Sequence, residues 1–144
     1  MTQKSEEREI KLVVFVDSKI HRSAELAAML GVSPDESWEI GASFKFGSRQ
    51  KLRDSSSWAV VERALGNEDC SAAADRLVAR LQSLVPRFQG LPPGVGVSLR
   101  ILVTENNGVF GLGLDRSHVQ FAAAIGADID VSVVVYGSEP TEPS

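Results

Sequence analysis

The chain has 144 residues, 43% of them hydrophobic and 24% charged, which suits one domain built around a single core. Fifteen Lys and Arg against nineteen Asp and Glu leave a net charge of -4, a balance that disfavours a general nucleic-acid binder. One cysteine, Cys70, permits no intrachain disulfide and no cysteine-built zinc site, and no apolar run approaches the ~20 residues of a membrane span.

Residues 1–9 read as a polar, solvated lead-in without a signal peptide, and the reducing compartment implied by cysteine usage makes a cytoplasmic protein the expectation. Lys11 to Val16 is apolar on both faces and predicts a central strand. His21 to Leu30 predicts a short helix stopped by Gly31. Pro34 then breaks the chain. Ser37 to Ala42, around Trp38 and Ile40, predicts a second strand, and Ser56 to Val61 a third, with Trp58 and Val60 on one face and Ala59 and Val61 on the other. Ala74, Leu77, Val78, Leu81, Leu84, Val85 and Phe88 follow helical spacing, with Asp69 or Ser71 as cap and Pro86 as the point where the helix ends or bends.

Val95 to Thr104 alternates as a strand whose Val97, Leu99, Ile101 and Val103 face the core. Asn107-Gly108 is a hairpin signal, with Val109 to Leu114 returning as its partner. Asp115 or Ser117 opens a last helix that Gly126 closes, and a final strand runs from about Ile129 to Tyr136. Residues 137–144 contain two prolines and no apolar side chain, and read as a disordered tail. Two strand–helix units echo each other, Val13–Asp17 with Leu26–Val32 and Leu112–Asp115 with Phe121–Ala127. The expectation is a single α+β domain over residues 10–136. Its sheet is mixed, mostly antiparallel and about six-stranded, with three helices mostly on one face, and a ferredoxin-like βαββαβ core is extended by a further βαβ unit.

Leu30-Gly31-Val32-Ser33-Pro34, Trp38 to Gly41, Ser55-Ser56-Ser57-Trp58, the amphipathic helix ending near Leu84-Val85-Pro86, and Ala124 to Val131 with Tyr136 together carry a resemblance. In order and spacing they resemble the bacterial domain-of-unknown-function family 4279 over roughly residues 10–136. The resemblance implies a fold and no established activity. The acidic residue that often follows the family's glycine is replaced here by Ala42 after Gly41.

Candidate chemistry is sparse. His21 and His118 each follow the aspartate of an echoed strand, so parallel neighbouring strands would gather Asp17, His21, Asp115 and His118 into a zinc- or iron-like set. The bland alternative makes Asp17 and Asp115 helix-start residues and leaves both histidines exposed. Cys70, near a helix start, has no histidine placed beside it and reads as an incidental thiol. Gly108, Gly111 and Gly113 fit neither phosphate-loop pattern and read as hairpin and strand chemistry. Asp128 and Asp130 read as solvation at a strand start. Lys45, Arg49, Lys51 and Arg53 make a locally basic segment flanked by Trp38 and Trp58, where Arg53 could stack on an indole and an anion or partner could dock.

No catalytic set, cofactor or metal is expected from this pattern. The first functional expectation is a non-catalytic module that binds another protein, an immunity-type inhibitor being one form. The alternative is a small-molecule or anion-binding domain, an enzyme being one form, that uses Trp38, Arg53 and Trp58.

Overall fold

The computed structural model describes residues 9–65, 68–105 and 113–135. In chain order the elements are β1 (Glu9–Ser18), α1 (Ser23–Leu30), β2 (Glu36–Trp38), β3 (Ser43–Phe46), β4 (Arg49–Leu52), β5 (Ser56–Arg63), α2 (Cys70–Leu81), α3 (Val85–Gln89), β6 (Gly96–Glu105), α4 (Arg116–Ala124) and β7 (Asp128–Val135), with a 3-10 turn, Gln82–Leu84, between α2 and α3. Five strands form one sheet in the order β2-β5-β1-β6-β7, and β3 pairs with β4 in a separate hairpin.

β1 is central because it is apolar on both sides. It lies antiparallel between β5 and β6, with Val14 opposite Val60 on one side and Leu99 on the other. The β6–β7 pair is parallel, so α4 serves as the crossover between them. The expected six-stranded sheet is thus five strands plus a two-strand hairpin. The proposed turn at Asn107-Gly108 and most of its returning strand lie outside the described residues, as do residues 1–8, Tyr136 and the tail. Gly113 and Leu114, at the end of that expected strand, are not strand, and Leu114 is partly buried against the core.

One face of the sheet carries all three longer helices. Ile10, Leu12, Val14 and Val16 of β1, Trp58 and Val60 of β5, and Leu99, Ile101 and Val103 of β6 meet Leu26 and Leu30 of α1, Leu77 and Leu81 of α2, and Phe121 and Ala122 of α4 in one core. Burying each such side chain is worth about 1.5–3 kcal/mol before chain entropy is counted. Gly31 ends α1 with φ 77°, a left-handed conformation that a Cβ would strain. Asp69 caps α2, its carboxylate accepting from the Ala72 N–H at 3.2 Å. The regular helix stops at Leu81, five residues before Pro86, and resumes as α3 with the proline in its first turn. A proline ring crowds the carbonyl four residues back, here Gln82, so the break falls where the steric rule places it.

The second strand is shorter than expected. β2 covers Glu36–Trp38 only, and Ile40 is exposed. The chain leaves the ladder because Glu39 turns toward α1, where its carboxylate accepts from the Ser23 hydroxyl and from the Ser23 N–H at 3.3 Å. That carboxylate satisfies the Ser23 N–H in the first turn of α1, while Glu25 of the same helix accepts from the Arg22 N–H at 2.8 Å. Gly41 follows with φ 88°, and the chain then enters β3. On the outside of the β5 edge, Arg80 of α2 pairs with Asp35 at 2.7 Å and Arg76 pairs with Glu62 at 3.3 Å and Glu68 at 3.0 Å.

Candidate functional site

Among the described residues, no helix lies on the opposite face of the sheet. Alternation along the strands brings Phe15 of β1, Trp38 of β2, Ser57 of β5 and Arg100 of β6 to that face, since Phe15 pairs with Ala59 and Ser98 while Ser57 pairs with Asp17 and Trp38. The β3–β4 hairpin rises beside them. Its base is fixed by two backbone hydrogen bonds of 2.8 Å, Arg53 N–H to Ala42 and Gly41 N–H to Arg53. Sheet face and hairpin enclose a cleft of about 360 Å³. That volume falls within the range of small-molecule sites.

Cations stacked on rings define the cleft. The Arg53 guanidinium carbon lies 3.9 Å from the ring centroid of Phe44 and 4.8 Å from that of Trp38. The Arg100 guanidinium lies 3.8 Å over Phe15, whose ring is 6.1 Å from Trp38. Lys51 also lines the cleft, and Asp54 is the acidic residue among its lining side chains. Neither arginine forms an ion pair among the described residues; Arg100 Nε donates to Ser98 Oγ at 3.1 Å. Stacking holds both guanidinium groups in place without neutralising them.

Two atoms in this cleft are unsatisfied. Arg53 Nε and Ser57 Oγ are both closed to solvent, and neither has a hydrogen-bond partner among the described residues. Ser57 as a whole is 2% exposed. An unmade hydrogen bond at a buried group costs about 1–3 kcal/mol, more where charge is involved. Two such groups fall in one cleft, beside the Arg100 guanidinium, which has no ion-pair partner among the described residues.

Of the three residues singled out from sequence as a binding region, the structure brings Trp38 and Arg53 together and puts Trp58 elsewhere. Trp58 is fully buried on the helix-bearing face, where its indole N–H donates to the Val32 carbonyl at 2.9 Å and its ring meets Phe88 edge-on at 6.1 Å. Alternation along β5 explains this, because Ser57 and Trp58 are neighbours in sequence and so face opposite sides.

The four-residue metal set does not assemble. β1 and β6 are antiparallel, so the segment that leads to α4 departs from the end of the sheet opposite to Asp17 and His21. Asp17 does not cap α1. It lies over Gly96, where a Cβ would come within 2.7 Å of Asp17 Oδ1, and Ser18 Oγ instead accepts from the N–H groups of Ile20 and His21. His21 is half-buried, 3.6 Å from Glu25. His118 is not exposed but 2% accessible, and it meets Asp75 of α2 rather than Asp17.

Asp75, Asp115 and His118 have ligand-type atoms within 4.8 Å of one another. Both ring nitrogens of His118 are nevertheless committed. Nδ1 accepts from the Asp115 N–H at 2.9 Å, so Nε2 carries the proton and donates to Asp75 Oδ1 at 2.7 Å. The trio serves as a helix-start lock that ties α4 to α2. Cys70 is buried at the start of α2, and burial pushes its thiol above the ordinary cysteine range, with Asp69 adding to the effect. The helix-start field is overridden there, and the thiol is kept protonated.

Together the features define a single-domain α+β protein with a cleft of arginines and aromatic rings on the sheet face opposite the described helices. The chain matches the family described as domain of unknown function, DUF4279, over residues 8–136, and it belongs to that family. No curated protein and no solved structure matches it. No helix among the described residues is long and apolar enough to cross a membrane.

Proposed function

We propose that this domain binds a small anionic ligand in the cleft formed by Phe15, Trp38, Phe44, Arg53, Ser57 and Arg100. The observation that carries this reading is the unpaired Arg53 Nε and Ser57 Oγ, buried together in one cleft. A ligand oxygen accepting from the guanidinium and from the hydroxyl would recover the hydrogen bonds both groups lack. Both atoms are closed to solvent, so binding requires the side chains over them to move. Binding rather than catalysis is supported by the state of the reactive groups, since His118 has both nitrogens bonded and the Cys70 thiol is buried and protonated.

A thermal-shift screen of small organic anions against the native protein and Arg53→Gln tests this reading. Concentration-dependent stabilisation of the native protein alone is expected. Equal shifts in both proteins would refute it.

A protein partner is the second reading, favoured by β7. This strand, last in the sheet among the described residues, exposes Ile129, Val131, Val133 and Val134, which offers a partner an apolar surface. An immunity-type inhibitor that works in a reducing cytoplasm is one form of that reading. Replacing Val131 by Lys should then abolish capture of a purified partner while leaving anion-induced shifts intact.

A further inference from the structure

Resting on the anion-binding reading above, we infer that the cleft prefers a carboxylate to a tetrahedral oxyanion, so that its ligand is a small carboxylic acid. The Arg53 guanidinium is flanked by the rings of Phe44 at 3.9 Å and Trp38 at 4.8 Å. All donors of a guanidinium lie in its plane, and the faces of aromatic rings carry partial negative charge. A guanidinium stacked on an aromatic face presents its in-plane edge, where its donors lie, to an acceptor.

A carboxylate suits that edge. Its two oxygens are coplanar and meet the fork of donors with no atom above or below the plane. A phosphate, phosphonate or sulfate that docks on the same edge carries its remaining oxygens out of the plane, toward the electron-rich faces of Phe44 and Trp38. Ser57, whose Oγ is buried and has no partner among the described residues, lines the same cleft and supplies a hydroxyl donor for a carboxylate oxygen. The apolar part of the acid lies among Phe15, Phe44 and Leu52, which line the same cleft. Lys51 and Arg100 line the cleft with Asp54, and Asp17 and Asp130 stand on the same sheet face beside Ser57 and Arg100. Coulomb attraction to a guanidinium alone favours the more highly charged tetrahedral anion, and a carboxylate preference would be the signature of the stacked geometry.

Calorimetric titration with benzoate and with phenylphosphonate separates the two, because both carry the same phenyl body. Under conditions where the phosphonate is a dianion, benzoate is expected to bind the native protein at least about tenfold more tightly. In Phe44→Leu, which keeps apolar volume but removes one flanking ring, the preference should shrink or reverse. Equal or tighter binding of phenylphosphonate to the native protein would overturn the selectivity while leaving the anion site standing. Absence of Arg53-dependent binding for both probes would overturn the anion-binding reading itself.

Discussion

Ser57→Ala is expected to stabilise the unliganded domain, and Ser56→Ala, one residue away, to destabilise it. Both serines are almost wholly buried on β5, but they face opposite sides of the sheet. Ser56 Oγ accepts from the Ile40 N–H at 2.9 Å and donates to Glu39 Oε1 at 3.3 Å. Its removal orphans a backbone donor and a carboxylate contact, at a cost of about 1–2 kcal/mol. Ser57 Oγ has no partner among the described residues, so its removal relieves a desolvation penalty. After allowance for lost packing the gain is about 1 kcal/mol, or roughly 3 °C in Tm for a domain of this size. Urea unfolding followed by tryptophan fluorescence reads both variants, with the midpoints compared at constant m. The same Ser57→Ala protein should bind benzoate about three- to tenfold more weakly. A Ser57→Ala midpoint well below the native one, with m unchanged, would show that the hydroxyl is already satisfied in the free protein and would refute the reasoning from an incomplete site.

Other parts of the fold make separate predictions. His118→Ala should cost about 2–4 kcal/mol through a cavity and two lost hydrogen bonds, and added zinc should leave the native Tm unmoved because neither ring nitrogen is free. The Arg80 hydrogen bond, aided by the Val61 N–H, holds the Asp35 carboxyl below the usual carboxylate range. A folded-state value below the unfolded one means that the contribution is fully present above the unfolded carboxylate value, about 3.9, and is lost as pH falls through the lowered folded value. Asp35→Asn should therefore flatten the acid limb of a stability–pH curve, by less than about 1 kcal/mol because both partners are about a third exposed. Cys70 should react with a thiol reagent at mildly alkaline pH only as fast as the domain opens, and reaction at the rate of a free thiol would contradict its burial.

The fold was legible in the sequence where one face of an element is apolar and the other is not. The β1 run Leu12–Val16 announced a central strand, the Leu77–Leu81 stripe announced α2, and Gly31 announced the end of α1. Strand direction was not legible locally. The echo between the two strand–helix units suggested parallel neighbours, yet most of the second echoed strand lies outside the described residues, Gly113–Asp115 are not strand, and His118 meets Asp75 instead of the Asp17 and His21 pair. The cleft was half legible. Arg53 and Trp38 stand at a basic, aromatic stretch, whereas Phe15, Ser57 and Arg100 join them only through cross-strand register, which depends on sheet order. Period-two alternation placed Trp58 with Val60 on one face of β5 but did not say which face meets the helices, so Trp58 was grouped with Trp38 although it lies in the core. His118 was missed as a buried residue because its partner, Asp75, lies 43 positions away on another helix.

The central claim is that Arg53 awaits an anionic partner, and the Arg53 Nε–H resonance reports on it most directly. In nitrogen-edited NMR of the native protein, titration with benzoate should shift that resonance along a single saturable path, and the assignment is secured by its loss in Arg53→Gln. A resonance that stays fixed through millimolar benzoate and phenylphosphonate alike, while the protein remains folded, would contradict the account.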